Sequence, residues 1–179
     1  EQTIARVEAR IAEPVAPFRA TRDRLMTVPG IKETVARVLL AEIGPEVSRF
    51  ATAGHLVSWA HLCSRRDESA GKRRSTRILP GHRWLKTTLI QAAWAAVKRR
   101  DTYLHAQFVR LRARRGAQKA IVAVAASMLV AVYHMLQQDV SYRDLGADYF
   151  TRRDRERRAH YLQHQLQALG YEVLVQRVA

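Results

Sequence analysis

Apolar side chains recur every three or four residues along most of the chain, which is the spacing that places them on one face of an α-helix. Helices are predicted from this pattern at about 52–61, 84–99, 102–115 and 117–136. Alternation of apolar and polar residues, which is typical of a half-buried strand, occurs only in the C-terminal run YEVLVQRVA. The sequence therefore predicts an all-α fold built from long packed helices.

A short turn divides an earlier pair of helices. Pro29-Gly30 interrupts the apolar repeat, and the helix that follows ends at Gly44-Pro45. This arrangement predicts a helix-hairpin-helix motif, in which main-chain N–H groups at the start of the second helix approach a phosphate. The candidate phosphate-binding residues are Pro29, Gly30, Ile31 and Lys32. An ordinary αα-hairpin with a Pro-Gly turn would have the same sequence pattern.

The segment from 64 to 83 has neither a helical nor a strand pattern, so we predict a loop. It is strongly basic, with Arg65, Arg66, Lys72, Arg73, Arg74, Arg77 and Arg83 against Asp67 and Glu68. Ser69 lies within it and could attack a phosphodiester while guanidinium groups stabilise the charge on the phosphoryl oxygens. The candidate phosphate-binding residues here are Gly71, Lys72, Arg73, Arg74 and Arg77. A solvated basic loop in which Ser69 is only a turn residue would explain the same pattern.

These elements suggest three parts along the chain. The first is a helical arm or linker at 1–24. The second is a domain at 25–147 that contains the helix-hairpin-helix at 25–44 and the basic serine loop at 64–83. The third is a charged helical tail at 148–179, which could be an arm or half of an intermolecular coil. We therefore expect the protein to form a homo-oligomer.

The charge balance indicates the class of partner. Lysine and arginine total 31 against 16 acidic residues, which gives a formal charge of +15 and a pI near 11.1. Such an excess opposes compaction unless a polyanion neutralises it, so nucleic acid is the expected partner. The uncharged run Ala120–Leu136 is shorter than the ~20 residues that a bilayer requires, and we predict a buried helix and no membrane partner.

Cysteine and histidine positions add little chemistry. The single cysteine, Cys63, excludes an internal disulfide and is consistent with a reducing cytoplasm. His160 and His164 have a spacing that metal ligands use on a helix, but a structural zinc site needs four ligands, so no metal site is predicted.

Several motifs together resemble one protein family. In order along the chain they are TVPGI, SRFATAGHLVSWAHLC, ESAGKRR, WLKTTLIQAAWAA and YRDLGADYF. Their order and content resemble the C-terminal transposase domain of the bridge-RNA-guided insertion-sequence transposases. In that family the domain follows an N-terminal RuvC-like domain with a DEDD carboxylate set. The resemblance covers roughly residues 5 to 155.

The resemblance implies a reaction and a division of labour. The family's catalytic serine stands in a Ser-x-Gly context, which here is Ser69-Ala70-Gly71. That serine becomes joined to a DNA 5′ phosphate during strand exchange. The resemblance therefore implies DNA transposition with Ser69 as the nucleophile. Mg²⁺ would be bound by the separate RuvC-like domain, and this chain would hold no cofactor of its own. The expected partners are DNA and a guide (bridge) RNA, in the bacterial cytoplasm near the nucleoid.

Two other functions remain open from the sequence. The chain could be a non-catalytic helix-hairpin-helix module that binds nucleic acid, including a decayed transposase fragment. It could also be an all-α oligomerisation element whose charge only keeps it soluble. Without the RuvC-like domain, the chain is expected to bind nucleic acid but not to cut it.

Overall fold

The computed structural model describes residues 16–63, 67–69, 72–75, 81 and 83–174. Within these residues a short 3-10 turn at Ala16–Phe18 precedes seven α-helices and one β-hairpin. In chain order they are α1 (Arg19–Leu25), α2 (Glu33–Ile43), α3 (Ala53–Trp59), β1 (Asp67–Ser69), β2 (Lys72–Ser75), α4 (Arg83–Ala96), α5 (Tyr103–Arg115), α6 (Ala117–Gln138) and α7 (Tyr149–Ala168). The predicted all-α class is confirmed, since helices form most of the described structure.

Helix α6 is the centre of the fold. It packs against α1, α3, α4 and α5, and its buried residues include Val124, Met128 and Leu129. Residues on several sides of this helix are buried, as its nearly continuous apolar sequence requires. By length and composition it is the one helix in the described ranges that could span a membrane. Its contacts with four helices of the same chain agree instead with the prediction of a buried helix.

The turn between α1 and α2 packs against α4. The Ile31 N–H donates a hydrogen bond to the Val28 carbonyl over 3.0 Å, and Gly30 between them has a φ of +83°. A Cβ atom on Gly30 would collide with the Ala92 carbonyl oxygen and would lie 2.8 Å from the Ala96 nitrogen. Glycine is therefore required here both for its backbone conformation and for the close approach of the turn to α4.

The segment between α6 and α7 forms hydrogen bonds with the start of α5 and with the turn after α1. The Asp144 carboxylate accepts hydrogen bonds from the backbone N–H groups of Tyr103, at 2.9 Å, and Gly146, at 2.7 Å. The Tyr142 N–H donates to the Thr27 hydroxyl at 2.9 Å, beside the Pro-Gly turn. Burial, with the nearby Asp144 carboxylate, raises the pKa of the Tyr142 phenol above its ordinary value. The segment thus links the start of α5 to the turn after α1.

Helix α7 is attached mainly at its first turns. Tyr103 stacks on Phe150 with ring centroids 5.0 Å apart, and Arg110 pairs with Asp154 at 3.1 Å. Beyond these contacts the side chains of α7 are mostly exposed, including Tyr161 and Leu162. Most of the predicted charged helical tail is therefore a helix that contacts α5 through its first turns. The domain boundaries at 24/25 and 147/148 stay predictions.

The helices lie close to their predicted positions, whereas the basic segment differs. Residues 67–69 and 72–75 pair as two antiparallel strands, where a loop was predicted. Such pairing uses backbone groups, which nearly all residue types carry, so the search for alternating apolar residues could not detect it. The first 15 residues of the predicted N-terminal arm lie outside the described residues, and so do 175–179. Residues 171–174, the rest of the alternating C-terminal run, form no strand.

Replacing Gly30 by alanine should destabilise the protein strongly. The positive φ costs roughly 1–2 kcal/mol for a residue with a Cβ, and the clash with α4 adds roughly 1–3 kcal/mol. We expect a decrease of about 2–5 kcal/mol in the free energy of unfolding, measured by denaturant titration. Gly116→Ala is the matched control, because Gly116 has a φ of +80° but no atom within 4 Å of its Cβ position. Equal losses in the two variants would contradict the packing role of Gly30.

Candidate functional site

The basic hairpin places Ser69 beside its tip. Ser69 is the last residue of β1 and pairs with Lys72, the first residue of β2. Only residues 70 and 71 connect the two strands. The serine that the sequence singles out therefore lies at the end of β1 where the chain passes to β2. Gly71 and Arg77, also predicted to bind phosphate, lie outside the described residues.

The second strand concentrates positive charge opposite Ser69. It reads Lys72-Arg73-Arg74-Ser75, and Lys72 is exposed. The register slips by one residue between Asp67 and Glu68, so Glu68 pairs with Arg73 while Asp67 pairs with Ser75. Such an irregularity increases the local twist of a hairpin and is common beside functional sites. The two acidic residues stand towards the open end of the hairpin, and the basic run begins at its tip.

The neck of the hairpin is a contact between His61 and Gly81. Helix α3 ends with hydrogen bonds from the His61 N–H to the Ser58 carbonyl and from the Leu62 N–H to the Val57 carbonyl. These two bonds define a Schellman cap, in which the residue at the His61 position adopts a left-handed conformation and is usually glycine. His61 has a φ of 54°, so a histidine occupies a position where glycine would have less backbone strain.

The position of its ring gives a reason for a histidine at this cap. A Cβ atom on Gly81 would coincide with the His61 imidazole and would lie 2.6 Å from its Cε1 atom. Gly81 therefore packs directly on the ring, which brings the start and the end of the basic segment together. Sequence reasoning did not identify this contact. The one available signal was the lack of glycine after the helix that ends near Ala60.

The four predicted phosphate contacts of the Pro-Gly turn have different surroundings. Ile31 is buried in the core, and Gly30 lies close to α4 because it has no side chain. Lys32 is exposed at the start of α2 and makes no side-chain cap. Pro29 is half-buried. Of the four side chains, only Lys32 is placed for an ionic contact with phosphate.

The first turn of α2 already holds an anion. Glu33 pairs with Arg37 at 2.6 Å and with Arg22 at 3.5 Å. A carboxylate at this position interacts favourably with the positive end of the helix dipole. A phosphate at the same helix end would have to share it with Glu33.

The Pro-Gly turn and the contact between His61 and Gly81 lie at opposite ends of α4. Gly81 comes two residues before the first residue of this helix, while Gly30 packs on Ala92 and Ala96 near its C-terminal end. With a rise of about 1.5 Å per residue, Ala92 and Ala96 lie roughly 14–20 Å along the helix axis from its first residue. The turn and the neck are therefore both next to α4 but not in contact with each other.

The other candidate sites show no catalytic arrangement. Among the described residues there is no group of three or more metal-ligating side chains, and His160 and His164 are exposed on α7. Cys63 is an exposed free thiol. A pocket of about 480 Å³ lies between α5, α6 and the segment after α6, and Val130, Ala131 and Val140 are among its apolar lining residues. None of the predicted site residues lines that pocket.

One family model matches part of the chain. Residues 22–110 match the model of the Transposase IS116/IS110/IS902 family. The matched span begins in α1, includes the Pro-Gly turn, the basic hairpin and its neck, and ends within α5. No curated protein matches the chain. The family match supports a function related to transposition and, with it, an interaction with DNA.

The neck contact can be tested by a pair of substitutions. Gly81→Ala should lower the free energy of unfolding by about 1–3 kcal/mol, because its Cβ displaces the His61 ring. In a His61→Gly background the same substitution should cost much less, since the ring is absent. Denaturant titration of the four proteins measures the coupling. Gly54→Ala is the control, because its Cβ would meet no atom closer than 3.6 Å. An equal cost in both backgrounds would show that the ring contact is not the cause.

Proposed function

We propose that the chain, whose residues 22–110 match the transposase family model, is the DNA-binding and strand-joining domain of a transposase, with Ser69 as its nucleophile. The observation that carries this proposal is the hairpin, which places Ser69 at the end of β1 and pairs it with the first residue of the basic strand. A nucleophile on a short hairpin can reach a DNA backbone that a flat helical surface could not. The proposal needs a second domain, and an oligomer is its natural setting.

The chemistry is a transfer of a phosphoryl group between hydroxyls. The Ser69 hydroxyl would attack the scissile phosphorus, forming an O–P bond to the 5′ phosphate while the bond to the 3′ oxygen breaks. The serine proton passes to a base, and the departing 3′ oxygen takes up a proton. A 3′ hydroxyl of another strand then attacks the phosphoserine and restores the free serine. No oxidant or energy source is needed, because each step exchanges one phosphoester for another.

Positive charge opposite the serine suits this reaction. Charge develops on the phosphoryl oxygens during transfer, and fixed cations near those oxygens stabilise it. We assign this role to Lys72, Arg73 and Arg74, which occupy the strand paired with β1. Arg77 and Gly71 belong to the same proposed phosphate-binding set by sequence. Lys32 would contact a phosphate farther along the DNA, at the other end of α4.

A partner domain would supply what this chain lacks. A serine hydroxyl is a weak nucleophile until a base or a metal ion assists it. Since the described residues contain no group of three metal-ligating side chains, we assign Mg²⁺ to a separate RuvC-like domain. A guide RNA, a homo-oligomer and a cytoplasmic location near the nucleoid belong to the same proposal. The alternative is a module that binds nucleic acid without cutting it.

The nucleophile can be tested by trapping its product. In the protein reconstituted with its RuvC-like domain, RNA, DNA and Mg²⁺, Ser69→Ala should abolish the covalent protein–DNA adduct seen after denaturing electrophoresis. Ser75→Ala is the matched control, because Ser75 lies on β2 of the same hairpin, at the pair farthest from the tip, and should leave the adduct unchanged. Adducts that persist in Ser69→Ala would exclude this serine. No adduct in any protein, with DNA binding intact, would favour the binding module.

The phosphate contacts can be tested through salt dependence. Each contact with duplex DNA contributes about 0.9 to the slope of log K against log salt concentration. Replacing Lys72, Arg73 and Arg74 together by alanine should therefore lower that slope by about 2–3 in binding titrations at several salt concentrations. Replacing Arg112, Arg114 and Arg115 on α5 removes the same charge and should change the slope less. Equal changes would mean that net charge, and not the hairpin, determines binding.

A further inference from the structure

The first turn of α4 carries a tryptophan side chain that is not part of the core. Trp84, the residue after Arg83 at the start of the helix, is 75% exposed. The buried face of α4 consists of Leu85, Leu89, Ala92, Ala93 and Ala96. An indole is among the largest apolar groups in proteins and is highly buried on average. Trp84 therefore exposes apolar surface nine residues after Ser75, the last residue of β2.

The rest of the outward face is uncharged and can form hydrogen bonds. Thr87 and Gln91 are exposed, and Trp94, 42% exposed, meets the ring of Phe108 at 5.6 Å. Successive members of this face are three or four residues apart, so they form one stripe along the helix. The stripe offers aromatic surface at both ends, with a hydroxyl and an amide between.

Cations flank the stripe, and carboxylates are absent from its sequence. Arg83 is exposed at the start of α4, and Lys98, Arg99 and Arg100 are exposed just after its end. No aspartate or glutamate occurs from 83 to 100. The distance along the helix from Arg83 to Lys98 is about 22 Å, from the rise of 1.5 Å per residue. A negatively charged chain could thus meet cations at both ends and uncharged groups between them.

This pattern fits a strand of nucleic acid with unpaired bases. Proteins that bind single strands combine cations along the backbone with aromatic rings on which bases stack. A duplex presents stacked, paired bases, and a side chain reaches their faces only by unstacking them. A protein partner would be expected to offer acidic side chains to the flanking cations and an apolar surface to the middle, but the middle contains a hydroxyl and an amide.

We infer that the outward face of α4 is a binding site for unpaired bases of a DNA strand, with Trp84 stacking on a base next to the phosphate that the hairpin handles. The inference deepens the proposed function and rests on it for the choice of DNA. Trp84 follows Ser75, the last residue of the hairpin, by nine residues, so we place Trp84 beside the strand that the hairpin would cut. Gln91 and Thr87 would then meet the edges of neighbouring bases.

The affinity of the full chain for a labelled single-stranded DNA 12-mer tests this site. Fluorescence anisotropy at ~0.15 M salt, where exposed charge–charge attraction is screened, should show binding about 5- to 150-fold weaker in Trp84→Ala. Trp84→Phe should retain most of the affinity, because phenylalanine also stacks. Tyr161→Ala is the matched control, since it removes an aromatic side chain that is 60% exposed on α7, and it should change nothing. Unchanged binding in Trp84→Ala would overturn the inference.

A strand without bases separates stacking from phosphate binding. An oligonucleotide of the same length with abasic sites should bind the unmodified protein more weakly, and this difference should be much smaller in Trp84→Ala. Equal binding of the two strands by the unmodified protein would mean that only phosphates are recognised, and would overturn the inference. Preference for RNA of the same sequence would overturn the assignment to DNA.

The outcome is independent of the nucleophile. Ser69→Ala should bind the DNA strand and respond to Trp84→Ala as the unmodified protein does, because stacking needs no covalent step. If Ser69 proves not to be the nucleophile, the difference between intact and abasic strands still decides whether Trp84 binds bases. If Trp84 proves not to bind bases, the adduct assay still decides the role of Ser69.

Discussion

The fold depends on covering one helix whose apolar surface is too wide for a single partner. Helix α6 buries residues such as Ala120, Val124 and Met128, and α1, α3, α4 and α5 all pack on it. Removing that surface from water is the dominant favourable contribution that the sequence offers. The other helices therefore have little freedom in where they lie. The same requirement explains why a run apolar enough for a membrane serves as the centre of this domain.

Helix α4 packs on this core with one face and carries surface groups on the other. Its inner face meets α6 and α2, and its alanines let Gly30 approach closely at one end. Near its other end Gly81 packs on the His61 ring. A rigid helix thus separates the Pro-Gly turn from the neck of the basic segment. Sites held by rigid elements keep their geometry better than sites on unsupported loops, which is why the neck matters for a serine beside a hairpin tip.

Much of this could be predicted from local patterns, and some of it could not. Helix positions followed from apolar spacing, and the turn at Pro29-Gly30 followed from residues that interrupt helices. The prediction of a structureless basic loop was wrong for β1 and β2, because strand pairing through the backbone leaves no mark on side-chain pattern. Gly30 was predicted to let the backbone approach a phosphate, and the structure shows a close approach of this residue to α4. Both a phosphate and a neighbouring helix require the same missing Cβ, so the sequence could not distinguish them.

By itself the sequence determined which segments are helical, how much positive charge the chain carries, and that Ser69 stands in a basic stretch between two apolar segments. These properties depend on residues close together in the chain, whose spacing and composition can be read directly. Only the tertiary structure decided that His61 packs on Gly81, that this contact and the Pro-Gly turn lie at opposite ends of α4, and that Trp84 faces outward. Those relations depend on which surfaces α6 brings together, and packing between distant segments has no local signature.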